Sequence, residues 1–353
     1  MRILNTRFDF IFSTLLGISF LTSCATTLSE SESVSVLTYN VETLFDSKHD
    51  RSQGKDKLDY TYLPLEVKRG ALRKEVTAYC SKIQRADWKK ECLNLDWTHS
   101  LLKEKMSRIG QIIRQSTTGC PDIVILQEIE NESVLKELRD TELQDCNYST
   151  AVLSDDRDVR GIDIAILSKF ELLDSKTLEI PFSDISETQL KDTRGILDAT
   201  LLAKGTRLRV LGVHLPAPFH PKSFRNDAVA YFQKTYLEKN APTIIAGDWN
   251  IPVTEEPGLP AVAELRKNFI FSDDSIRSAT VDRGSTYYAK EQSWSFLDKI
   301  VFGRNHFLTI ECRLAKVIPQ QLDSEGRPQG FDSSKAEITG VSDHLPILCR
   351  SAL

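Results

Sequence analysis

At 353 residues the chain exceeds an average domain of ~100–200 residues, yet no Pro- or Ser-rich linker divides it and no internal repeat recurs. The simplest organisation is one large domain with insertions. A formal net charge of -5 gives no overall basic footprint, which argues against a high-affinity duplex binder but leaves room for carboxylates clustered around a cation.

The chain starts with Arg2 and Arg7. Ile11 to Leu21 then form an apolar stretch too short to span a bilayer as a mature helix, with Asp9 an intrusion just before it. Leu21-Thr22-Ser23-Cys24 follows. This resembles the lipobox of bacterial lipoproteins, whose cysteine is lipidated and becomes the mature N-terminus. The resemblance implies a signal peptide at 1–23, a lipid anchor on Cys24, a flexible tether at 24–33 and a folded domain at 34–353. It also implies an exported protein, anchored to a bacterial membrane and facing the periplasm or the exterior. In that oxidising setting Cys80, Cys92, Cys120, Cys146, Cys312 and Cys349 are an even set. Cys80 and Cys92 are close enough in sequence to staple a polar insertion, and the other four read as buried free thiols. No Cys-x-x-Cys or paired Cys/His spacing points to zinc.

Val34 to Asn40 alternates apolar and polar residues near its end and predicts the first strand. Asp46 to Leu95 is charged with scattered aromatics, an insertion at about 46–95 that is helical around Glu66 to Lys82. Its basic cluster, Lys68, Arg69, Arg73 and Lys74, reads as a solvated helix face. Leu102, Met106, Ile109 and Ile113 have helical spacing within Leu101 to Ile113. Asp122 to Glu128 carries a continuous apolar run, a strand buried on both faces. A helix follows from about Ser133 to Arg139, then a strand from Asp163 to Leu167 and a polar loop over 181–194. Ile196 to Leu202 and Arg207 to Val213 form an antiparallel pair joined at Lys204-Gly205-Thr206. Phe224 to Leu237 is an amphipathic helix. Strands at 242–246, from Trp294 to Phe302 and within Ile338 to Cys349 complete the reading. Strands outnumber helices and often follow one another directly, so a mixed α/β sandwich fits better than a repeating βαβ barrel.

Six strand ends lead into residues able to hold a cation or a phosphate: Asn40 with Glu42, Glu128, His214, Asp248 with Asn250, Asp298, and Asp343 with His344. Strand ends converge at one edge of a sheet, where clefts form. Together these residues offer oxygen ligands for a hard cation, two imidazoles and two amides. That is the inventory for cutting a phosphodiester with a divalent ion. Asp248 and Asn250 project on the same side of an extended backbone; a carboxylate can take a proton from water, and an amide can donate to an oxyanion.

The blocks around these residues are Leu37 to Glu42, Asp122 to Glu128, Arg160 to Ala165, Val213 to Leu215, Gly247 to Asn250, Ser295 to Ile300 and Ser342 to Pro346. In kind and order they resemble the endonuclease/exonuclease/phosphatase family, which includes pancreatic-type deoxyribonucleases, abasic-site endonucleases, neutral sphingomyelinases and inositol polyphosphate phosphatases. The resemblance implies a four-layer αββα sandwich with two mixed, mainly antiparallel β-sheets. It implies a metal-dependent phosphodiester hydrolase using Mg²⁺, with Mn²⁺ or Ca²⁺ as alternatives. Asn40, Glu42, Glu128 and Asp343 fall at the metal positions. Asp248 would deprotonate the attacking water, Asn250 would donate to a phosphoryl oxygen, and His214 and His344 would contact the phosphate, with Asp298 partnering His344. Arg160 and Arg225 would bind substrate from loops. Trp249 and Trp294 would be the substrate-facing aromatics, whereas His49, His99, His220 and His306 lie outside the blocks and read as surface. Exported anchoring suits a monomeric nuclease acting on nucleic acid. The alternatives are a phospholipid, sphingolipid or inositol phosphate phosphoesterase and, in another class, a non-catalytic phosphate-binding lipoprotein. The intact residue set argues against the last.

Overall fold

Ser33–Leu44 forms the first strand, β1, inside a six-stranded sheet. Its residues alternate between two cores: Val34 and Val36 face one, and Leu37, Tyr39 and Val41 the other. The structure, a computed structural model, describes residues 33–49, 57–155, 157–239, 241–279, 283–307, 309–334 and 337–353. The expected signal peptide, Cys24 and the tether up to residue 32 lie outside the described residues.

The next strands are β2 (Ile123–Ile129), β3 (Thr150–Leu153), β4 (Asp163–Ser168), β5 (Glu171–Leu178), β6 (Ile196–Ala203) and β7 (Thr206–His214). They are followed by β8 (Thr243–Asp248), β9 (Phe269–Phe271), β10 (Thr286–Tyr288), β11 (Ser293–Ser295), β12 (Asp298–Gly303), β13 (Ile310–Leu314) and β14 (Ile347–Ala352). One sheet has the order β13-β14-β1-β2-β4-β3 and the other β5-β6-β7-β8-β12-β9, with β10 and β11 a separate hairpin. Among the described strands, β1–β2 and β7–β8 pair parallel and the rest antiparallel.

Three cores stack these elements into four αββα layers. The inner faces of the sheets meet, with Val36, Ile125 and Ile166 from one packed with Ala199, Val210 and Ile300 from the other. Helix His99–Ser116 lays Leu102, Met106, Ile109 and Ile113 on the outer face of the first sheet, and the Thr98 side chain caps its start. Helices Lys222–Lys239 and Pro260–Asn268 cover the second sheet through Phe232 and Leu265. Each fully buried Leu or Ile side chain contributes about 1.5–3 kcal/mol relative to exposure. Among the described residues no helix is long and apolar enough to cross a membrane.

The insertion folds as three short helices, Leu65–Arg69, Arg73–Cys80 and Ala86–Asn94, around Leu63, Leu72 and Val76. The Cys80–Cys92 disulfide joins the last two helices. Lys68 departs from the expected solvated face. It is buried and donates to the carbonyls of Thr61, Cys92 and Leu95, closing the insertion from inside.

Two further expectations are corrected. Cys120 and Cys146 are bonded to each other, as are Cys312 and Cys349, the latter directly opposite across β13 and β14, so these four are not free thiols. The strand expected from Trp294 to Phe302 is broken at Phe296 and Leu297. Its first part pairs with β10 and its second with β8 and β9, so the two halves belong to different sheets.

Candidate active site

Three neighbouring strand ends carry His214, Asp248 and Asp298. β7 and β8 set His214 opposite Asp248, and β8 and β12 set Asp248 opposite Asp298. Residues opposite one another on paired strands project to the same side, so Asp248 stands between an imidazole and a second acid. Gly247 makes this spacing possible. Its φ is +151°, and a Cβ there would lie 1.9 Å from the Val213 carbonyl oxygen. Beyond it Trp249 turns into the core against Phe232 and Phe271, fully buried, so it is not the substrate-facing aromatic expected. Asn250 returns to the site side in the left-handed region, at φ 51°.

The first sheet approaches with two bulges, where the register shifts between Asn40 and Leu44 and between Gln127 and Ile129. Glu42, Thr43 and Glu128 take left-handed φ values of 53°, 60° and 69°. For non-glycine residues that conformation costs roughly 1–2 kcal/mol each. Hydrogen bonds offset the strain and aim the side chains. Thr43 N–H donates to Glu128 Oε2 at 2.9 Å, and Glu42 N–H donates to Asn40 Oδ1 at 3.0 Å. The buried Lys105 Nζ donates to the carbonyls of both Glu42 and Thr43, and the Tyr62 hydroxyl of the insertion meets Thr43 Oγ1 at 2.8 Å. Lys105 was not among the residues expected at the site. Its signal is positional: it follows Leu102 by three residues and precedes Ile109 by four, placing it on the buried stripe of its helix.

Groups from both sheets meet at Asp248 Oδ2. Asn40 Nδ2 and Asn250 Nδ2 each donate to it at 3.2 Å; His214 Nε2 is 3.5 Å away and His344 Nε2 3.9 Å. Asn40 Nδ2 also donates to Glu128 Oε1 at 3.2 Å, so one amide bridges the two carboxylates. Its Oδ1 accepts from Glu42 N–H, which fixes the amide so that Nδ2 faces both carboxylates. Asn250 likewise divides Nδ2 between Asp248 and the Leu215 carbonyl, positioning the acid. Burial pushes the Asp248 carboxyl up to about 7, with His344 opposing the rise and Asp298 adding to it.

The two histidines are held in opposite states. Burial alone would lower the pKa of His344. Asp298, at 2.8 Å from Nδ1, together with Asp343 and Asp248, overrides this and holds it well above 6.5, so the ring is a cation. His214 is held well below 6.5 by burial and then by the positive charges of Arg194, Arg160 and His344, so it is neutral. Its Nε2 faces Glu128 and Asp248 while its buried Nδ1 meets no partner among the described residues, which assigns the proton to Nε2.

The segment carrying His344 is tied back to β1. His344 N–H donates to Ser342 Oγ at 3.1 Å, and Ser342 Oγ donates to the Asn40 carbonyl at 2.7 Å. Gln321, oriented by the Tyr39 hydroxyl at 2.6 Å, donates to the Ser342 and His344 carbonyls. On the other side Thr286 of the hairpin bridges to His344. Burial, then Asp248 and Asp343, push the nearby Tyr288 phenol up to about 12.

The remaining predicted residues separate. Asp343 lies at the rim, its side chain 64% exposed and 3.8 Å from His344 Nε2. The Glu42 carboxylate accepts from Phe331 N–H at 3.2 Å, and burial, then Asp343, raise its pKa to about 8; it secures that loop rather than standing free as a ligand. Arg160 flanks the site. It donates to Asp158 and to the Asp192 carbonyl, and its charge acts on Glu128 and His214. Arg225 is corrected: it is fully buried, forks onto Glu255 with both contacts at 2.7 Å and donates to loop carbonyls, so it is a clamp out of reach of substrate. Trp294 packs on Tyr287 in the hairpin.

Among the described residues no three His, Cys, Asp or Glu side chains form a ready-made metal cage. The partly open Glu128 carboxylate, 18% exposed, still fits Mg²⁺, which is bound through one or two carboxylates and keeps waters and phosphate oxygens as its other ligands.

Residues 89–351 match the family model of the Endonuclease/Exonuclease/phosphatase family. A comparison with curated proteins finds no match. Among solved structures, truncated TDP2 of Caenorhabditis elegans is similar over 92% of this chain and 98% of its own, at 13% identity and a TM-score of 0.53. An endonuclease/exonuclease/phosphatase family protein of Bacteroides thetaiotaomicron is similar over 90% and 97%, at 16% identity and a TM-score of 0.53. TDP2 of D. rerio, solved with a single strand DNA product, is similar over 91% and 99%, at 16% identity and a TM-score of 0.52. At such identities these likenesses show the fold, and the family model shows the lineage: the chain belongs to the endonuclease/exonuclease/phosphatase family.

Proposed function

We propose that the chain is a divalent-metal-dependent phosphodiesterase that cuts nucleic acid by in-line attack of water on phosphorus. The observation that carries this reading is the meeting of Asn40, Asn250, His214 and His344 at Asp248 Oδ2, with Asp298 behind His344. Enzymes of the family are hydrolytic phosphoesterases that typically use divalent metals. When bound at Glu128, the ion would supply positive charge to the phosphoryl oxygens. Asp248, with its pKa raised toward neutrality, takes the proton of the attacking water. Cationic His344 and the Nε2–H of neutral His214 meet the negative charge that develops on the phosphoryl oxygens. Asn40 and Asn250 hold Asp248 in place. D. rerio TDP2, of the same fold, was solved with a single strand DNA product, which supports nucleic acid over lipid or inositol phosphate as the substrate. The lipobox at Cys24 supports anchoring to a bacterial membrane, and Cys24→Ser should release the protein from the membrane fraction.

The purified protein should nick plasmid DNA with Mg²⁺ or Mn²⁺ and stop in EDTA. Turnover of sphingomyelin or inositol phosphates without turnover of nucleic acid would replace the substrate assignment. No turnover of any phosphoester with any divalent ion would leave a phosphate-binding lipoprotein.

A further inference from the structure

The backbone leaving His214 is held along most of its length. Arg194 donates to the carbonyls of His214 and Leu215 at 2.9 and 3.1 Å. Arg225 donates to those of Pro216, Ala217 and His220 at 3.0, 2.9 and 3.3 Å, while Glu255 fixes the guanidinium. Two buried guanidiniums thus grip five carbonyls within seven residues, 214–220. This rigid loop holds Phe219 out in solvent at 76% exposure, against 53% for Trp88, the next most exposed large apolar side chain among the described residues. Exposing an apolar ring on an ordered loop forgoes its burial.

The ring is backed on one side. Its centroid lies 4.3 Å from that of His220, with the planes 37° apart, and His220 in turn lies 6.1 Å from Phe224. Phe219 stands five residues beyond His214 on this held loop, so the pair lies on the His214 side of the site. Its chain neighbours, Pro218 and His220, add no large aliphatic side chain that would make a membrane-inserting tip. A flat ring with one supported face, on the loop that leaves His214 of the proposed phosphodiester site, has the make-up of a surface that tracks single strands by stacking their bases.

We infer that Phe219, backed by His220, is a stacking platform for a nucleobase next to the scissile phosphate, and that the enzyme takes nucleic acid with a base free of its helix. The inference rests on the phosphodiesterase reading and specifies its substrate. The test compares wild type, Phe219→Ala and Phe219→Trp on a single-stranded oligothymidylate and on an oligomer of equal length with every base replaced by an abasic tetrahydrofuran. The wild-type preference for oligothymidylate, as a ratio of kcat/KM values, should fall on the order of tenfold in Phe219→Ala, chiefly through KM, and return in Phe219→Trp. Fluorescence anisotropy of labelled oligothymidylate in EDTA should show the same order of binding, with no turnover involved. An unchanged preference in Phe219→Ala, or no recovery in Phe219→Trp, overturns the platform. Loss of binding to anionic phospholipid vesicles with oligothymidylate binding intact assigns Phe219 to a membrane surface and also overturns it. If the wild type cleaves nothing yet binding in EDTA depends on Phe219, the hydrolytic reading fails and the platform stands.

Discussion

Asp298 Oδ2 lies 2.8 Å from His344 Nδ1, and both side chains are buried. The acid fixes the ring and keeps it charged. Because the folded pKa of His344 is raised above 6.5, the pair's contribution to stability is complete below pH 6.5 and is lost as pH rises through the raised value. Activity that needs the cation falls along the same limb. In Asp298→Asn the alkaline limb of the kcat/KM profile should move to lower pH, and kcat should drop on the order of 10²-fold. Parallel pH–rate profiles of the two proteins check this.

Asp248→Asn should lower kcat by roughly 10²–10⁴-fold, the scale for one positioned general base. The amide keeps the shape of the carboxylate, so far-UV circular dichroism should not change. An active Asp248→Asn protein would remove this residue from the chemistry.

Gly247→Ala places a Cβ 1.9 Å from the Val213 carbonyl oxygen at a φ of +151°. β8 would have to move from β7, at a cost on the order of 3 kcal/mol. Gly205→Ala is the control. Its φ is +81° with nothing within 4 Å of the added carbon, so it should cost about 1 kcal/mol. Urea unfolding of the two variants separates close packing from backbone preference.

Lys105→Met leaves the Glu42 and Thr43 carbonyls without their buried donor, a loss of about 1–3 kcal/mol. It also loosens the bulge whose Thr43 N–H holds Glu128. Titration calorimetry should show Mg²⁺ affinity weakened by roughly 10–100-fold, the usual effect of removing a group behind a metal ligand. Unaltered affinity would reduce Lys105 to a packing residue.

Burial raises the phenols of Tyr39, Tyr62 and Tyr148 above their ordinary value of 10.0. Their contribution to stability is complete below that pH and is lost as pH climbs beyond it. Urea midpoints should therefore fall from about pH 10 upward. Tyr62→Phe should soften that fall while costing about 1 kcal/mol at neutral pH for its bond to Thr43.

Strands buried on both faces were legible because a short, unbroken apolar run, as in β2 and β8, suits a central strand between two packed layers. β5 was not: it lies at a sheet edge, and its residues are largely exposed or half-buried, so Glu171–Leu178 lacks an apolar pattern. The strand-end acids and imidazoles could be read as a set, but their orientation could not. The left-handed turns at Glu42, Thr43 and Glu128 decide which atom of Asn40 faces the acids, and non-glycine residues give no signal of positive φ. Lys105 was hidden because a charged residue in an amphipathic helix reads as solvated, and Arg225 was misread as a substrate contact, whereas at both positions backbone carbonyls take the place of water. Trp249 was misplaced against the alternation that pairs Asp248 with Asn250: the residue between them has to face the other way.

Ser33 pairs with Ala352 and Thr38 with Ile347 along β1 and β14, although over three hundred residues separate them in the chain. A chain emerging from the ribosome N-terminus first therefore carries β1 with an open edge until its final strand arrives. Folding must wait for that long-range closure, which makes it slow and keeps the sheet exposed meanwhile. His344 comes just ahead of the closing strand, so a growing chain holds Asn40, Glu128 and Asp248 with no imidazolium to complete them. The cluster at Asp248 therefore forms only after the segment carrying His344 has been made.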